Sequence, residues 1–498
     1  MTSKLKLYQD WKFKLSAYQM VLSLLDIDRI TVAPPDGNAY RDERTAFLSG
    51  ELFDISTDRG MMEILQEILS NETLNRDLRK EASLYYKEAS DIVCIPRDVY
   101  LDYKKLIERS YLIWLKAKYT DDYSLFEPLL REIIESRKVL IGYRKSDKPL
   151  YDEMLNDYEP GSSTAFYDPF FETVKERLLP LIERVSKAER IDDSILHRYY
   201  PADRQKAFTH EFLLPFLHFE PSWGYQNETE HPFTSWLSQN DCRTTTKYVE
   251  NDIVSAIFST IHETGHAWYA HNIDPRYDGS ILSYGVSSAM HESQSRFCEN
   301  YLGRSHAFWE YCYPHLQDYF PAELGEVPLE TFYRAVNLST PSPIRTEADE
   351  LTYPIHVLIR YEIEKGLFDG SISTERLDQT WNDKYREYLG IEITKASQGL
   401  LQDVHWSSGD FGYFPTYALG SAFGAQFYHR MLQDLDVNGA LRSGDYLAPI
   451  SWLKTNIHQY GASLTASEII QRVCGEAFKP EYYIDYLENK YGELYGLD

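Results

Sequence analysis

Cysteine is scarce in this chain: five residues in 498, scattered, odd in number and never spaced CxxC. That usage excludes a disulfide scaffold and a cysteine-held zinc site, and it fits free thiols in a reducing compartment. No apolar run approaches membrane-spanning length, and the first ten residues (MTSKLKLYQD) carry no apolar core of the signal-peptide kind. The expected location is therefore cytoplasmic. Positive charge is also short, with 51 Lys and Arg against 77 Asp and Glu and a formal net charge of −26. Such a balance excludes non-specific binding to nucleic acid or to anionic membranes. An anionic ligand would need its own cationic pocket, which makes individual arginines informative. Neither a solenoid-type repeat nor a low-complexity segment occurs.

What is present is helical periodicity. Apolar residues recur at helical spacing over 5–25, 42–53, 61–69, 71–88, 96–118, 126–141, 169–187 and 203–214. The last of these is expected to stop before Pro215. The polar stretch 142–163, with Pro149, Pro160 and Gly161, reads as a long loop. Residues 231–248 are rich in Thr, Ser and aromatics and read as a short hairpin or two edge strands. Helical patterns resume at 251–271 and continue through 287–302, 306–319, 329–336, 347–366, 374–389, 417–433, 446–459, 466–478 and 482–495. The 347–366 helix is expected to bend at Pro354. With no composition shift along its length, the chain reads as one large, mainly α domain. Within it, 1–224 reads as a helical N-terminal part, and 225–498 as the functional part, beginning near the segment at residue 231.

The stretch that organises the rest is His262-Glu263-Thr264-Gly265-His266. Asn251 is the expected N-cap of its helix and Asp252 a first-turn charge. Residues four apart share a helix face, so His262 and His266 present two imidazoles that one zinc ion can bridge. Glu263 is one residue round, within reach of a water on that ion but not a ligand. A catalytic zinc needs three protein ligands and an open position. Glu292 is the expected third, on a second helix; His291 competes but points about 100° away on that helix. Glu299 either orients a ligating histidine or forms an ordinary helix salt bridge.

Further downstream, Arg345 precedes Glu347, Asp349 and Glu350. It either pairs with one of those acids or receives a substrate carboxylate, for which a planar guanidinium is suited. Residues 399–406 (GLLQDVHW) hold Asp403 and His405, and they lead to Tyr413 and Tyr417 either side of Pro415. A phenol beside a zinc site can donate to an oxyanion.

These pieces resemble the carboxypeptidase Taq family of zinc-dependent metallocarboxypeptidases. The family's hallmarks occur here in order: HPF at 231–233, DxRxT at 241–245, HExxH at 262–266 with HESQ at 291–294, IRxxAD at 344–349 and GxxQDxHW at 399–406. The resemblance implies a mostly helical zincin like neurolysin and peptidyl-dipeptidase, with a deep cleft, a small β-sheet and a homodimeric state. It implies a peptide substrate with a free C-terminal carboxylate and one zinc ion per chain, with cobalt or manganese as alternatives. His262, His266 and Glu292 would be ligands, Glu263 the general base and Arg345 the carboxylate grip. His231, Arg243 and His405 would line the cleft, Tyr413 or Tyr417 would face the oxyanion, and Glu299 and Asp403 would support the site from behind. An oligopeptidase cutting internally with the same site is the alternative. One departure is Phe297-Cys298 where members commonly carry Leu-Trp; it places a thiol near the metal helices, so sensitivity to oxidation or heavy metals is expected.

Overall fold

The computed structural model describes residues 2–497. Most of them are helical, and the helices follow the apolar spacing. Arg59–Ser70 is representative: Met61, Leu65 and Ile68 fall on its buried face, and Asp58 caps it by accepting from the Met61 N–H. Two apolar clusters result. A small one joins the first four α-helices through Tyr8, Ile55, Leu65 and Tyr85, and reaches the rest of the chain at Ile281. The large one runs from Leu106 to Leu494. Among the described residues no helix is long and apolar enough to cross a membrane.

Four expectations are corrected. The stretch 142–163 is not one loop, because Leu150–Tyr158 is helical. Tyr151, Met154 and Leu155 sit at i, i+3 and i+4 and are buried, while Pro149 and Pro160 mark the boundaries rather than a loop interior. The 203–214 helix does not stop before Pro215. It widens into a π turn at Phe208–Leu213 and runs to Phe216, and the wider turn has room for a proline ring that would strike an α-helical carbonyl. The 347–366 helix starts only at Tyr353, so Pro354 lies in its first turn, where a missing N–H costs nothing and no bend follows. Finally, Asp252 rather than Asn251 caps the HExxH helix, accepting from the N–H groups of Val254 and Ser255.

The hairpin is present, as β2 (Thr234–Ser238) and β3 (Asp241–Thr246), joined by a two-residue turn. A further strand, β1 (Gly224–Glu228), pairs in parallel with β3 on its other side, giving the order β1-β3-β2. The sheet lies on the HExxH helix, Ile253–Asn272. Thr244 and Thr246 of β3 are buried, and the Thr246 hydroxyl bonds the Ser259 hydroxyl at 2.7 Å. The helix that carries Glu292, Ser288–Arg296, is capped by Ser287 and continues as a π turn, Phe297–Gly303.

Close approach places that second helix. A Cβ on Gly265 would stand 2.8 Å from the Gln294 carbonyl oxygen and 2.8 Å from the Ser295 Cα. On the opposite side, a Cβ on Gly420, in helix Pro415–Asp434, would stand 2.8 Å from the Glu292 Cβ. Both distances are shorter than side chains tolerate, so Ser288–Arg296 is seated between two seams that only glycine permits.

Candidate metal centre and peptide-binding cleft

A cavity of about 1210 Å³ opens beside the HExxH helix. His262, Glu263, His266, Glu292, Arg345, Tyr413 and Tyr417 all line it. Within it, ligand atoms of His262, His266 and Glu292 lie within 4.8 Å of one another, the converging set among the described residues. The Glu292 Oε2 is 3.8 Å from the His262 Nε2 and 3.7 Å from the His266 Nε2.

The other nitrogen of each imidazole is occupied. The His262 Nδ1 meets the Glu299 Oε2 at 2.9 Å, and the His266 Nδ1 meets the His291 Nδ1 at 2.9 Å. Each Nε2 is thereby turned toward the shared point. His291, the rival third ligand, belongs behind His266 and not among the converging atoms. Its ring stacks on Trp236 with centroids 5.0 Å apart. Burial holds its pKa down, to about 4, so it is neutral and can accept from the His266 N–H. Burial also lowers the His262 pKa, but the facing charges of Glu292, Glu299 and Glu263 outweigh it and the net shift is upward. At His266 the balance is the reverse: burial first, then His291, His262 and Arg296, hold its pKa well down and keep its imidazole neutral. Two imidazoles and a carboxylate converging on one point suit a divalent cation.

Arg296 closes the arrangement. Its Nε donates to the Glu292 Oε1 at 2.8 Å and its Nη1 to the Glu299 Oε2 at 3.1 Å. The unbroken circuit His262–Glu299–Arg296–Glu292 leaves the Glu292 Oε2 facing the two imidazoles. Arg304 adds a 3.3 Å contact to the Glu299 Oε1. These cations, Arg296 foremost among them, hold the Glu299 pKa well below the usual carboxylate range against burial, which acts upward. Arg296 escaped the sequence reading. Its signal was there, four residues after Glu292 and three before Glu299 on one helical face.

Glu263 is buried, which raises its pKa. Its Oε2 accepts from the Thr234 hydroxyl at 2.5 Å. Thr234 was also missed, since its approach depends on how the sheet lies against a helix 29 residues on, which no local pattern reveals.

Arg345 is buried and does not pair with the acids that follow it. Its Nε and Nη2 donate to the Asp403 Oδ1 at 3.0 and 2.8 Å, and its Nη1 to the Tyr353 hydroxyl at 3.0 Å. Arg360 takes the Asp403 Oδ2 at 2.8 Å. Held between two guanidiniums, Asp403 has a pKa far below the usual range even though burial opposes it. Asp349 instead accepts the backbone N–H groups of Thr340, Leu351 and Thr352.

Tyr413 and Tyr417 meet edge to face at 5.1 Å. Tyr413 also rests on Tyr158, from the helix Leu150–Tyr158, at 5.1 Å. Tyr417 lies 4.9 Å from the Arg345 guanidinium, and its hydroxyl meets the His405 Nε2 at 3.3 Å. Burial pushes the Tyr413 pKa up, to about 12, and Tyr417 further, so both are O–H donors near neutral pH. Asp403 and His405 thus stand behind Arg345 and Tyr417, away from the cavity wall. His231 is exposed, and its neighbours Pro232 and Phe233 line the cavity in its place. Arg243 is bound bidentately by Asp241 of its own strand, at 2.8 and 2.9 Å, and is likewise absent from the wall. Cys298 is buried, and burial pushes its thiol up, to about 12. Burial and the raised pKa both argue against the sensitivity expected there, because little thiolate is available to react.

Comparison with known proteins agrees with this geometry. The family model for carboxypeptidase Taq (M32) metallopeptidases matches residues 8–491. Carboxypeptidase 1 of Bacillus subtilis is 40% identical over 487 residues, covering 97% of each chain. Thermostable carboxypeptidase 1 of Thermus thermophilus is 36% identical over 484 residues, covering 94% of each. The crystal structure of an M32 carboxypeptidase from Deinococcus radiodurans superposes with a TM-score of 0.96 at 30% identity, over 99% of this chain and 100% of that one. This chain belongs to the carboxypeptidase Taq (M32) family of metallopeptidases and is a peptide hydrolase.

Proposed function

We propose that the enzyme releases single amino acids from the C-termini of peptides, with His262, His266 and Glu292 holding one divalent ion. Zinc is the first assignment for this donor set, with cobalt and manganese as rivals. When bound, the ion supplies Lewis-acid chemistry, making a water acidic enough to lose its proton near neutral pH and polarising the scissile carbonyl. Glu263 takes the proton of the attacking water and delivers it to the leaving amine nitrogen. Tyr413 donates its phenolic O–H to the developing oxyanion. Tyr413 is preferred because Tyr417 is engaged by His405 and stacked beside Arg345. Arg345 holds the terminal carboxylate and sets the register, so the bond next to the free end is the one presented to Glu263 and Tyr413.

One observation carries the reading. A guanidinium pinned by Asp403 and Tyr353 faces the same cavity as the His-His-Glu set. Mass spectrometry of products from a peptide ladder tests it. Sequential loss of C-terminal residues, abolished by chelator, is the expected result; internal fragments from a C-terminally blocked peptide would overturn it. Glu263→Gln is expected to keep the ion and lower kcat by at least about 10³-fold. We also propose a cytoplasmic homodimer. Exposed apolar side chains on the first two helices, Phe13 and Phe47 among them, support an interface there, and light scattering on the purified protein measures it.

A further inference from the structure

We propose that Thr234 is a positioning residue for Glu263, its hydroxyl deciding which carboxylate oxygen faces the substrate. The inference rests on Glu263 acting as the base. Thr234 opens β2, and its backbone has little freedom. It pairs with Thr244 across β3. The preceding Phe233 is clamped to Thr245 from both sides, its N–H donating to the Thr245 Oγ1 at 3.0 Å and its carbonyl accepting from the Thr245 N–H at 2.9 Å. Pro232 fixes φ one residue earlier.

From this platform the Thr234 Oγ1 reaches two acceptors on one residue: the Glu263 Oε2 at 2.5 Å and the Glu263 backbone oxygen at 2.9 Å. A threonine hydroxyl has one proton to give. The carboxylate is the stronger acceptor, so the proton lies toward Oε2. The terminal torsion of a glutamate is otherwise broad. With Oε2 tied to the sheet, that torsion is pinned, and Oε1 is the oxygen left to meet the attacking water and the leaving amine. The sheet, packed on the HExxH helix, thereby aims the carboxylate of its second residue. A hydroxyl that merely tacked the strand to the helix would need only the backbone oxygen.

Three variants of the full-length, metal-loaded enzyme test this: Thr234→Val, which keeps the shape and removes the donor; Thr234→Ser, which keeps the donor; and Glu263→Gln as reference. Thr234→Val is expected to lower kcat by about 10- to 100-fold, the scale of a misplaced catalytic group. KM should stay within about two-fold, with metal content and unfolding midpoint unchanged. Thr234→Ser should recover kcat to within about three-fold of the parent. In the Glu263→Gln background, Thr234→Val should add no further loss, because the two residues act as a unit. The proposal is overturned if Thr234→Val keeps kcat, if Thr234→Ser falls as far as Thr234→Val, or if Thr234→Val loses metal and thermal stability in step with activity. Full activity in Glu263→Gln alone removes the base assignment itself, a failure separable from the first three.

Discussion

Replacing Arg345 with methionine isolates the proposed carboxylate grip. A guanidinium has five N–H donors. In the structure Arg345 spends one on Asp403 from Nε, one on Asp403 from Nη2 and one on Tyr353 from Nη1. One N–H remains on each terminal nitrogen, and such a pair matches the two oxygens of a carboxylate. Hydrogen bonds to charged groups contribute about 1.5–3 kcal/mol each. Losing two removes about 3–4 kcal/mol once non-additivity is allowed for, or roughly 10²- to 10³-fold in kcat/KM at about 1.4 kcal/mol per decade. The fold should survive, because Arg360 still binds the Asp403 Oδ2 and the buried charge is not orphaned. The assay compares kcat/KM on matched peptides with a free or an amidated C-terminus. Arg345→Met should collapse the preference for the free acid while leaving the amidated peptide's slow rate within a few-fold. A preference that persisted in the variant would falsify the grip and move the register device elsewhere in the cavity.

Other expectations are more compact. Glu299→Gln removes the charge behind the His262 Nδ1 and should weaken metal binding by about 10- to 100-fold, read by competition with a chromogenic chelator. Gly265→Ala drives a Cβ into the Gln294–Ser295 backbone and should cost about 1–3 kcal/mol in urea unfolding together with reduced metal content. His458 is buried against Asn272 and Gln294, and burial depresses its pKa from the ordinary 6.5 to about 3. Its folded-state pKa lies below the unfolded one, so the unfolded chain binds the extra proton. The stability this provides is whole above pH 6.5 and declines as pH falls toward 3, by about 2 kcal/mol at pH 5 from this group alone. Urea midpoints at pH 7 and 5 should separate accordingly, and less so in His458→Gln.

Some of this was legible in the sequence because the information is local. His262, His266 and Glu292 follow from helical spacing and ligand chemistry, and their atoms do converge. The hairpin was legible from its β-branched and aromatic content, whereas β1 (GYQNE) has no β-branched residue and was invisible. Helix Leu150–Tyr158 was hidden by the polar residues and prolines around it, although Tyr151, Met154 and Leu155 carried the stripe. The least legible feature was partner choice. Three acids stand within five residues of Arg345, yet its partner is Asp403, 58 residues away. Burial decides this: Asp403 comes with a second guanidinium and the Gln402 amide, which together satisfy the charges inside the protein. Nearness in sequence offered nothing comparable.

The two glycine seams have a consequence for metal choice. Glu292 rides on a helix that has backbone on one side at Gly265 and another helix on the other at Gly420, with no slack in either direction. With that backbone seated and its Oε1 held by the Arg296 Nε, the carboxylate has little room to swing. On the proposed ligand set, selectivity among divalent ions becomes a matter of which one accepts a rigid template with two nitrogens and one oxygen. An ion that demands six oxygens around it must take the site strained or leave it. What sets that template is two side chains that are not there.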